Sequence, residues 1–241
     1  MSTLILYSFL IFGTTVGGGF IPLLIPDKHE DALKLFISLG AGLLIGMAFL
    51  HLIPEAAELA PQVFGLWALV GFVLLLALER FFMVHACEEH GCNYHTVGMA
   101  AFAGLAIHGV IEGCALGSSQ LATGLGPFIF LAILVHKAPS AFALASILKL
   151  AGRTKRGITL FLMGVGLSVP IGMWIAYALL QSEKLPMTAG ILLSMSAGTF
   201  IYIGACDLLP ELHRTDKDKV LRLGAFGVGL LCSFLSGYIA G

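Results

Sequence analysis

Two histidines and one glutamate stand inside long apolar stretches of this sequence, where ionisable side chains are rare. His108 and Glu112 are four residues apart, which puts them on one face of a helix. His136 lies near the middle of the next apolar stretch, with Lys137 directly after it and Ser140 one helical turn further on. Imidazole nitrogen and carboxylate oxygen are ligands that suit zinc and its neighbours in the first transition row. These residues predict a metal site with the following ligands: His108, Glu112, His136 and Ser140.

Each of these histidines also has a purely structural interpretation, in which its ring hydrogen-bonds a neighbouring helix and does nothing more. A single histidine would favour that interpretation. His108, Glu112 and His136 together favour a metal, because a cation would neutralise a carboxylate that is otherwise costly at membrane depth.

The composition of the chain places these residues in a membrane. Of the 241 residues, 58% are hydrophobic and 11% are charged, whereas soluble domains are about 25% charged. A run of about 20 apolar residues crosses a bilayer as a helix. Eight such spans are predicted, at residues 3–25, 33–54, 63–84, 97–118, 127–149, 157–180, 187–209 and 219–240. We therefore expect an all-α integral membrane protein that forms one polytopic domain over residues 1–241.

The basic residues orient the predicted spans. Of the 13 Lys and Arg residues, 11 lie in the odd-numbered loops or the helix ends beside them, Lys184 lies in an even-numbered loop, and Lys137 lies inside span five. Because cytoplasmic loops carry the excess of basic residues, both termini are predicted to lie outside. The expected location is the plasma membrane or a bacterial inner membrane, and no nucleic-acid partner is expected.

A short repeat links span two with span seven. Span two ends in HLIPE at residues 51–55 and span seven ends in DLLPE at residues 207–211, an offset of 207 − 51 = 156. The two spans run in opposite directions, so the repeat predicts a 3+2+3 arrangement in which spans 1–3 invert onto spans 6–8. Inverted repeats build alternating-access transporters. The alternative is a chance similarity between two helices that end in Pro-Glu.

Polar residues at the two ends of this repeat could collect and release a cation. His51 and Glu55 form the predicted outer entrance, and Asp207 and Glu211 form the predicted inner exit. The inner loop between spans three and four carries a further cluster that resembles a weak metal-binding loop. Its candidate ligands are His85, Cys87, His90, Cys92 and His95. A sensor, a transfer point and a plain linker remain open for this loop.

The motifs of spans four and five resemble those of the ZIP family of zinc/iron permeases, and the resemblance covers nearly the whole chain. HGVIEG at residues 108–113 is similar to the His-Asn-x-x-Asp-Gly motif of the family's fourth helix. HKAPS at residues 136–140 is similar to the His-Glu-x-Pro-His-Glu-like motif of its fifth helix. The resemblance implies eight helices, outside termini and a transition-metal transporter that works toward the cytosol. It also implies that helices 1, 4, 5 and 6 carry the metal against a scaffold of helices 2, 3, 7 and 8, and that a homodimer forms.

Several positions depart from the family pattern. Many members hold a second metal with an Asn in helix four, an acid in helix five and an acid before a proline in helix six. The corresponding residues here are Gly109, Lys137 and Val169, and Ser140 replaces an acid that bridges the two metals. We hypothesise that the protein holds one metal and that the Lys137 ammonium replaces the second ion, as in a branch of the family with such a lysine. Lys137 is then expected to pair with Glu112.

The expected function is therefore transport of a divalent metal, zinc first, while iron, manganese and cadmium share enough ligand chemistry to remain alternatives. No organic cofactor is expected, and the chain is not expected to be an enzyme. A membrane-embedded zinc-dependent hydrolase is the alternative, with zinc activating water and Glu112 as the base. The two predicted mouths argue against a hydrolase, because an enzyme needs only one entrance. A metal-sensing receptor is a third interpretation, for which the inner loop is the only feature.

Overall fold

The structure is a computed structural model that describes residues 1–26, 30–82, 93–119, 126–179, 185–213 and 218–240. Within these residues the chain forms eight long helices joined by short connections. Helix α1 is Ser2–Leu24, α3 is Phe64–Phe82, α4 is Asn93–Ser119, α5 is Gly126–Leu150, α6 is Lys155–Leu179 and α8 is Lys219–Ala240. Helix α2 runs from Glu30–Met47 through a π-helical turn, Ala48–Leu52, into Ile53–Leu59. Helix α7 runs from Leu185–Tyr202 through a second π-helical turn, Ile203–Leu208, into Leu209–His213.

The eight helices confirm the predicted all-α membrane fold. Each contains a stretch of at least 18 residues that is apolar enough to cross a bilayer. Large apolar side chains such as Phe9, Leu66 and Leu231 are more than half exposed on the outside of the bundle, as expected where lipid is the solvent. In the most apolar stretch of α3 only 11% of residues are buried, against 67% in α7. Helix α7 therefore lies in the centre of the bundle and α3 lies at its edge.

Helix α2 extends beyond the predicted end of span two at residue 54. Pro54 has no N–H with which to continue the helical ladder. The chain accommodates it by widening into a π-helical turn, in which the N–H of Ile53 bonds to the carbonyl of Ala48, five residues earlier. Helix α7 does the same before Pro210, where the N–H of Leu209 bonds to the carbonyl of Gly204. The two turns are offset by 209 − 53 = 156 residues, so the sequence repeat has a matching backbone geometry.

The packing of the helices follows the same correspondence. Helix α2 packs most extensively on α8, and its counterpart α7 packs most extensively on α3. Likewise α1 packs on α5, and its counterpart α6 packs on α4. If helices 1, 2 and 3 are exchanged with helices 6, 7 and 8, and α4 is exchanged with α5, each of these main helix contacts becomes another of them. The inverted orientation of the halves in a bilayer stays a prediction, which this packing supports.

Glycines set the spacing between α2 and α8 and between α7 and α3. A Cβ at Gly42 would overlap the carbonyl oxygen of Phe226 on α8, and a Cβ at Gly198 would overlap the carbonyl oxygen of Ala68 on α3. These two glycines are also offset by 198 − 42 = 156 residues. Gly229 and Gly71 make the reciprocal backbone approaches from α8 and α3. Close backbone packing through small residues is how membrane helices associate when lipid supplies no hydrophobic drive.

Candidate metal centre

Helices α4 and α5 bring the three predicted ligands together in the middle of the bundle. His108 and Glu112 project from one face of α4, and His136 projects from α5, which stays helical through Pro139. All three side chains are at most 1% exposed. Among the described residues they form the one group of three or more His, Cys, Asp or Glu side chains that could hold a metal ion, with one ligand atom from each within 4.8 Å of the others.

The Glu112 carboxylate lies between the two imidazole rings. His136 Nε2 is 2.7 Å from Glu112 Oε1, and His108 Nε2 is 3.5 Å from Glu112 Oε2. The ring centroids of His108 and His136 are 5.9 Å apart with an interplanar angle of 65°. The two rings therefore face a common point beside the carboxylate, as the spacing of the sequence predicts.

Among the described residues, His108 Nε2, His136 Nε2 and both Glu112 oxygens are buried and meet no partner at hydrogen-bond angles, although Glu112 Oε2 forms an ion pair with Lys137. Buried polar atoms are normally satisfied, and each exception calls for an explanation. A cation would satisfy imidazole nitrogens and carboxylate oxygens that converge in this way. The residues present therefore fit a metal ion with nitrogen and oxygen ligands.

Lys137 meets the carboxylate from the other side. Its Nζ is 2.7 Å from Glu112 Oε2, and its side chain is 2% exposed. An isolated ammonium at membrane depth is costly, so this pairing explains how the buried lysine is tolerated. The contact is the one expected from the sequence.

Ser140 lies beside these residues but has a local hydrogen bond. Its hydroxyl donates to the carbonyl of Lys137 at 3.0 Å, one turn earlier in α5. Its single hydrogen is thereby used within the helix, which leaves only oxygen lone pairs for any other partner. The predicted role of Ser140 as a metal ligand stays a prediction.

Three residues of α7 complete the surroundings, and none was predicted from the sequence. His108 Nδ1 lies 3.0 Å from Thr199 Oγ1 and 3.0 Å from Ser196 Oγ. Phe200 stacks on the His108 ring with a centroid distance of 3.7 Å and meets the His136 ring edge-on at 5.0 Å. Ser196 and Thr199 are hydroxyl residues three positions apart in an apolar span, a signal that could have found them.

The predicted outer entrance is only partly free for a cation. His51 Nε2 donates to the carbonyl of Ser233 on α8 at 2.7 Å and also lies 3.3 Å from Ser236 Oγ. Since a carbonyl only accepts hydrogen bonds, Nε2 carries the hydrogen and Nδ1 is left as the acceptor nitrogen. Glu55 is half-buried one turn later in α2. His51 therefore joins α2 to α8 in this structure.

The predicted inner exit gains two residues that the sequence interpretation missed. Asp207 is buried and lines a narrow cavity between α3, α4 and α7 that Glu79 and Tyr202 also line. The Tyr202 hydroxyl donates a hydrogen bond to Glu79 Oε2. The α4 wall of the cavity consists of small residues, Ala100, Ala103 and Gly104, and of Ile107, which directly precedes His108. The cavity thus joins two carboxylates to the small-residue face of α4, and none of the metal-cluster residues lines it.

Some predicted residues lie outside what the structure describes. His85, Cys87, His90 and Cys92 of the inner loop fall outside the described residues. The side chains of His95 and Glu211 also lie outside the described part of the chain. The metal-binding loop and the second acid of the inner exit therefore stay predictions.

Eight membrane-length helices around a buried cluster of imidazole and carboxylate groups define the class: a multi-pass membrane protein with a candidate metal site in its core. The family model described as "ZIP Zinc transporter" matches residues 1–89 and 83–236. The chain thus belongs to the ZIP zinc transporter family, which is a family of transporters and not of enzymes. The expected resemblance is confirmed, and the hydrolase alternative has no support. The lysine branch stays a prediction.

The chain is similar over most of its length to curated members of this family. It is 28% identical to "Zinc transporter ZIP9" of Xenopus tropicalis, with 86% of this chain and 84% of that protein covered. It is 27% identical to "Zinc transporter ZIP9" of Micropogonias undulatus, with 88% and 86% covered. It is also 28% identical to "Zinc transporter ZIP13" of Pongo abelii, with 75% and 58% covered.

Proposed function

We propose that this protein carries zinc across a bilayer toward the cytosol and that His108, Glu112 and His136 hold the ion midway. The observation that carries the proposal is the convergence of ligand atoms from these three buried side chains to within 4.8 Å of one another. Three protein ligands leave one position of a tetrahedral zinc shell for water or another exchangeable group. A carrier needs such an open shell, because it must release what it binds.

The site holds one ion in this proposal. The Glu112 carboxylate already has the Lys137 ammonium at one oxygen, and His136 approaches the other oxygen. The ammonium thus stands where a second cation would otherwise share the carboxylate, which supports its role as a substitute for a second metal. Iron(II), manganese and cadmium would find the same nitrogen and oxygen ligands, so they are competitors to be compared with zinc.

The proposed path runs between the two ends of the repeat. Zinc enters past His51 and Glu55 and leaves past Asp207 and Glu211. The cavity that Asp207, Glu79 and Tyr202 line, and which reaches the level of Ile107, supports the inner half of this path. Carboxylates at the inner mouth would attract a divalent cation as it leaves the two imidazoles.

Alternating access is the proposed mechanism of movement. The glycine-mediated contacts of α2 with α8 and of α3 with α7 are close backbone contacts within each pair, which supports a scaffold of helices 2, 3, 7 and 8. Helices 1, 4, 5 and 6 would then carry the metal between the two mouths. Both termini face outward, the scaffold dimerises, and the protein resides in the plasma membrane or a bacterial inner membrane in this proposal.

Metal uptake into proteoliposomes tests the proposed function. The purified protein should accumulate zinc in vesicles, and both His108→Ala and His136→Ala should abolish accumulation. Ser194→Ala is a matched control, because the buried Ser194 hydroxyl donates to the carbonyl of Gly190 within α7 and bonds no other described residue. Zinc uptake that survives in both histidine variants would refute the site. Turnover of lipid by the detergent-solubilised protein would instead favour a hydrolase, and deletion of residues 86–95 tests whether the inner loop is needed for flux.

A further inference from the structure

The nitrogen of His108 that faces away from the candidate metal position is held by a different helix. Its Nδ1 lies 3.0 Å from Thr199 Oγ1 and 3.0 Å from Ser196 Oγ, both on α7, and all three residues are fully buried. The metal-facing nitrogen, Nε2, has no hydrogen-bond partner among the described residues. The partners of Nδ1 therefore decide which of the two ring nitrogens carries the hydrogen.

The hydrogen positions follow from the donors that are present. A threonine hydroxyl has one hydrogen, and that of Thr199 is donated to the carbonyl of Ser196 at 2.7 Å. Thr199 Oγ1 is then an acceptor for His108, and we assign the ring hydrogen to Nδ1, from which the Ser196 hydroxyl oxygen can also accept. Neutral imidazole has one N–H, which leaves Nε2 with a bare lone pair directed toward Glu112. Only that lone pair can bind a metal.

We propose that Ser196 and Thr199 are positioning residues that hold His108 in the Nδ1–H form and thereby set the metal affinity of the site. The inference rests on the proposed function, since it assigns a role toward the ion that His108 would bind. Histidine ligands of metals commonly donate their other N–H to a fixed acceptor, and loss of such acceptors typically costs about 10–100-fold in metal affinity. Phe200, stacked on the ring at 3.7 Å, fixes its plane at the same time.

The positions of these residues on the fold give the proposal a mechanistic consequence. His108, Glu112 and His136 belong to α4 and α5, whereas Ser196, Thr199 and Phe200 belong to α7. If α4 and α5 move against α7, the Nδ1–H loses its acceptors and Nε2 becomes a weaker ligand for the ion. Once the ion has left, the hydrogen can occupy Nε2, where Glu112 is the nearest acceptor, and this form of His108 does not bind a metal. The same displacement that opens the site would therefore lower its affinity, which promotes release.

One double variant that removes both hydroxyls and one rescue variant test the proposal. In detergent-purified protein, Thr199→Val combined with Ser196→Ala should weaken zinc binding about 10–100-fold, measured by competition with a chromophoric chelator. Thr199→Ser in the Ser196→Ala background keeps one acceptor and should recover most of the affinity. Ser194→Ala removes a buried hydroxyl from the same helix without touching His108 and should bind as the wild type does. Recovery with serine separates loss of the acceptor from general misfolding.

Nitrogen-15 NMR of histidine-labelled protein reports the tautomer of the His108 ring, which would not change if Ser196 and Thr199 had only a structural role. The His108 signals, assigned by their loss in His108→Gln, should report Nδ1–H in the metal-free wild type and a shift toward Nε2–H in the double variant. An unchanged tautomer or unchanged zinc affinity in the double variant would overturn the inference. If His108→Gln itself leaves zinc binding intact, the proposed function fails, whereas loss there with no effect of the α7 variants refutes only the positioning role.

Discussion

Lys137 Nζ lies 2.7 Å from Glu112 Oε2, and this ion pair between α4 and α5 is buried together with the two imidazoles of the candidate metal site. Glu112 belongs to α4 and Lys137 to α5, so the ion pair also links these two helices. In the proposed transport cycle, the ammonium remains when the ion leaves, so that it would neutralise Glu112 during the return of the empty protein.

Lys137→Ala should lower the stability of the metal-free protein more than that of the metal-bound protein. Removal of one partner of a buried ion pair leaves an uncompensated charge, which costs about 3–5 kcal/mol. Thermal unfolding in detergent should show a lower midpoint without metal, and zinc should restore more stability in the variant than in the wild type. Zinc uptake should also fall, and Lys137→Arg should retain part of it. Equal stabilisation of both proteins by zinc would contradict this role.

The number of metal ions per chain tests the same pair by a second route. With the ammonium in place, purified protein should bind about one zinc ion at the His108–His136 site, measured by equilibrium dialysis and elemental analysis. His136→Ala identifies the core ion, because that ion alone should be lost. Two tightly bound core ions per wild-type chain would disprove the substitution of Lys137 for a metal.

Glu112→Gln should abolish zinc binding and also destabilise the protein, since it leaves the Lys137 ammonium buried without a counter-charge. The double variant Glu112→Gln/Lys137→Met removes both charges and should recover stability while zinc binding stays absent. A double-mutant cycle on the unfolding midpoint measures this coupling. Additive effects of the two substitutions would show that the pair contributes nothing to stability.

Gly42→Ala and Gly198→Ala should each destabilise the protein, because the added methyl group would overlap a backbone carbonyl of the neighbouring helix. Overpacking of this kind costs about 1–3 kcal/mol. Gly227→Ala is the matched control, since a Cβ there meets no atom within 4 Å among the described residues. The three variants are compared by unfolding midpoint in the same detergent. The prediction fails if Gly42→Ala and Gly227→Ala have the same midpoint.

Asp207→Asn and Glu79→Gln should each slow zinc uptake without changing the number of ions bound at the core. Both carboxylates line one cavity, which we propose lies along the exit, so their loss would remove attraction there and not the central site itself. Uptake rate and core stoichiometry are measured on the same preparations. A loss of core binding in either variant would show that these carboxylates belong to the central site.

The helices and the side chains of the candidate metal site were predictable because they depend on features that are local in sequence. Apolar length identifies the spans, and a four-residue spacing places His108 and Glu112 on one face. The roles of Ser196, Thr199 and Glu79 depend on which face of one helix meets which face of another. With apolar residues on every side of a span, as in α4 and α5, sequence periodicity does not indicate that face.

The continuation of α2 beyond Pro54 was missed for a different reason. Proline is an ordinary signal for the end of a helix, and nothing in the local sequence distinguishes an end from a π-helical turn. The repeat explains the continuation, since the same Pro-Glu pair follows the same kind of π-helical turn in α7. The second copy shows that a π-helical turn before Pro-Glu is a feature of both helices.

Each π-helical turn inserts one extra residue into a helix that otherwise advances by about 100° per residue. Everything beyond the insertion is therefore rotated around the helix axis relative to what precedes it. The polar ends of α2 and α7 can in this way face a different neighbour from the apolar lengths of the same helices, with no break inside the membrane. One local irregularity, used twice, would thus separate the surface that faces the proposed ion route from the surface that packs in the bundle.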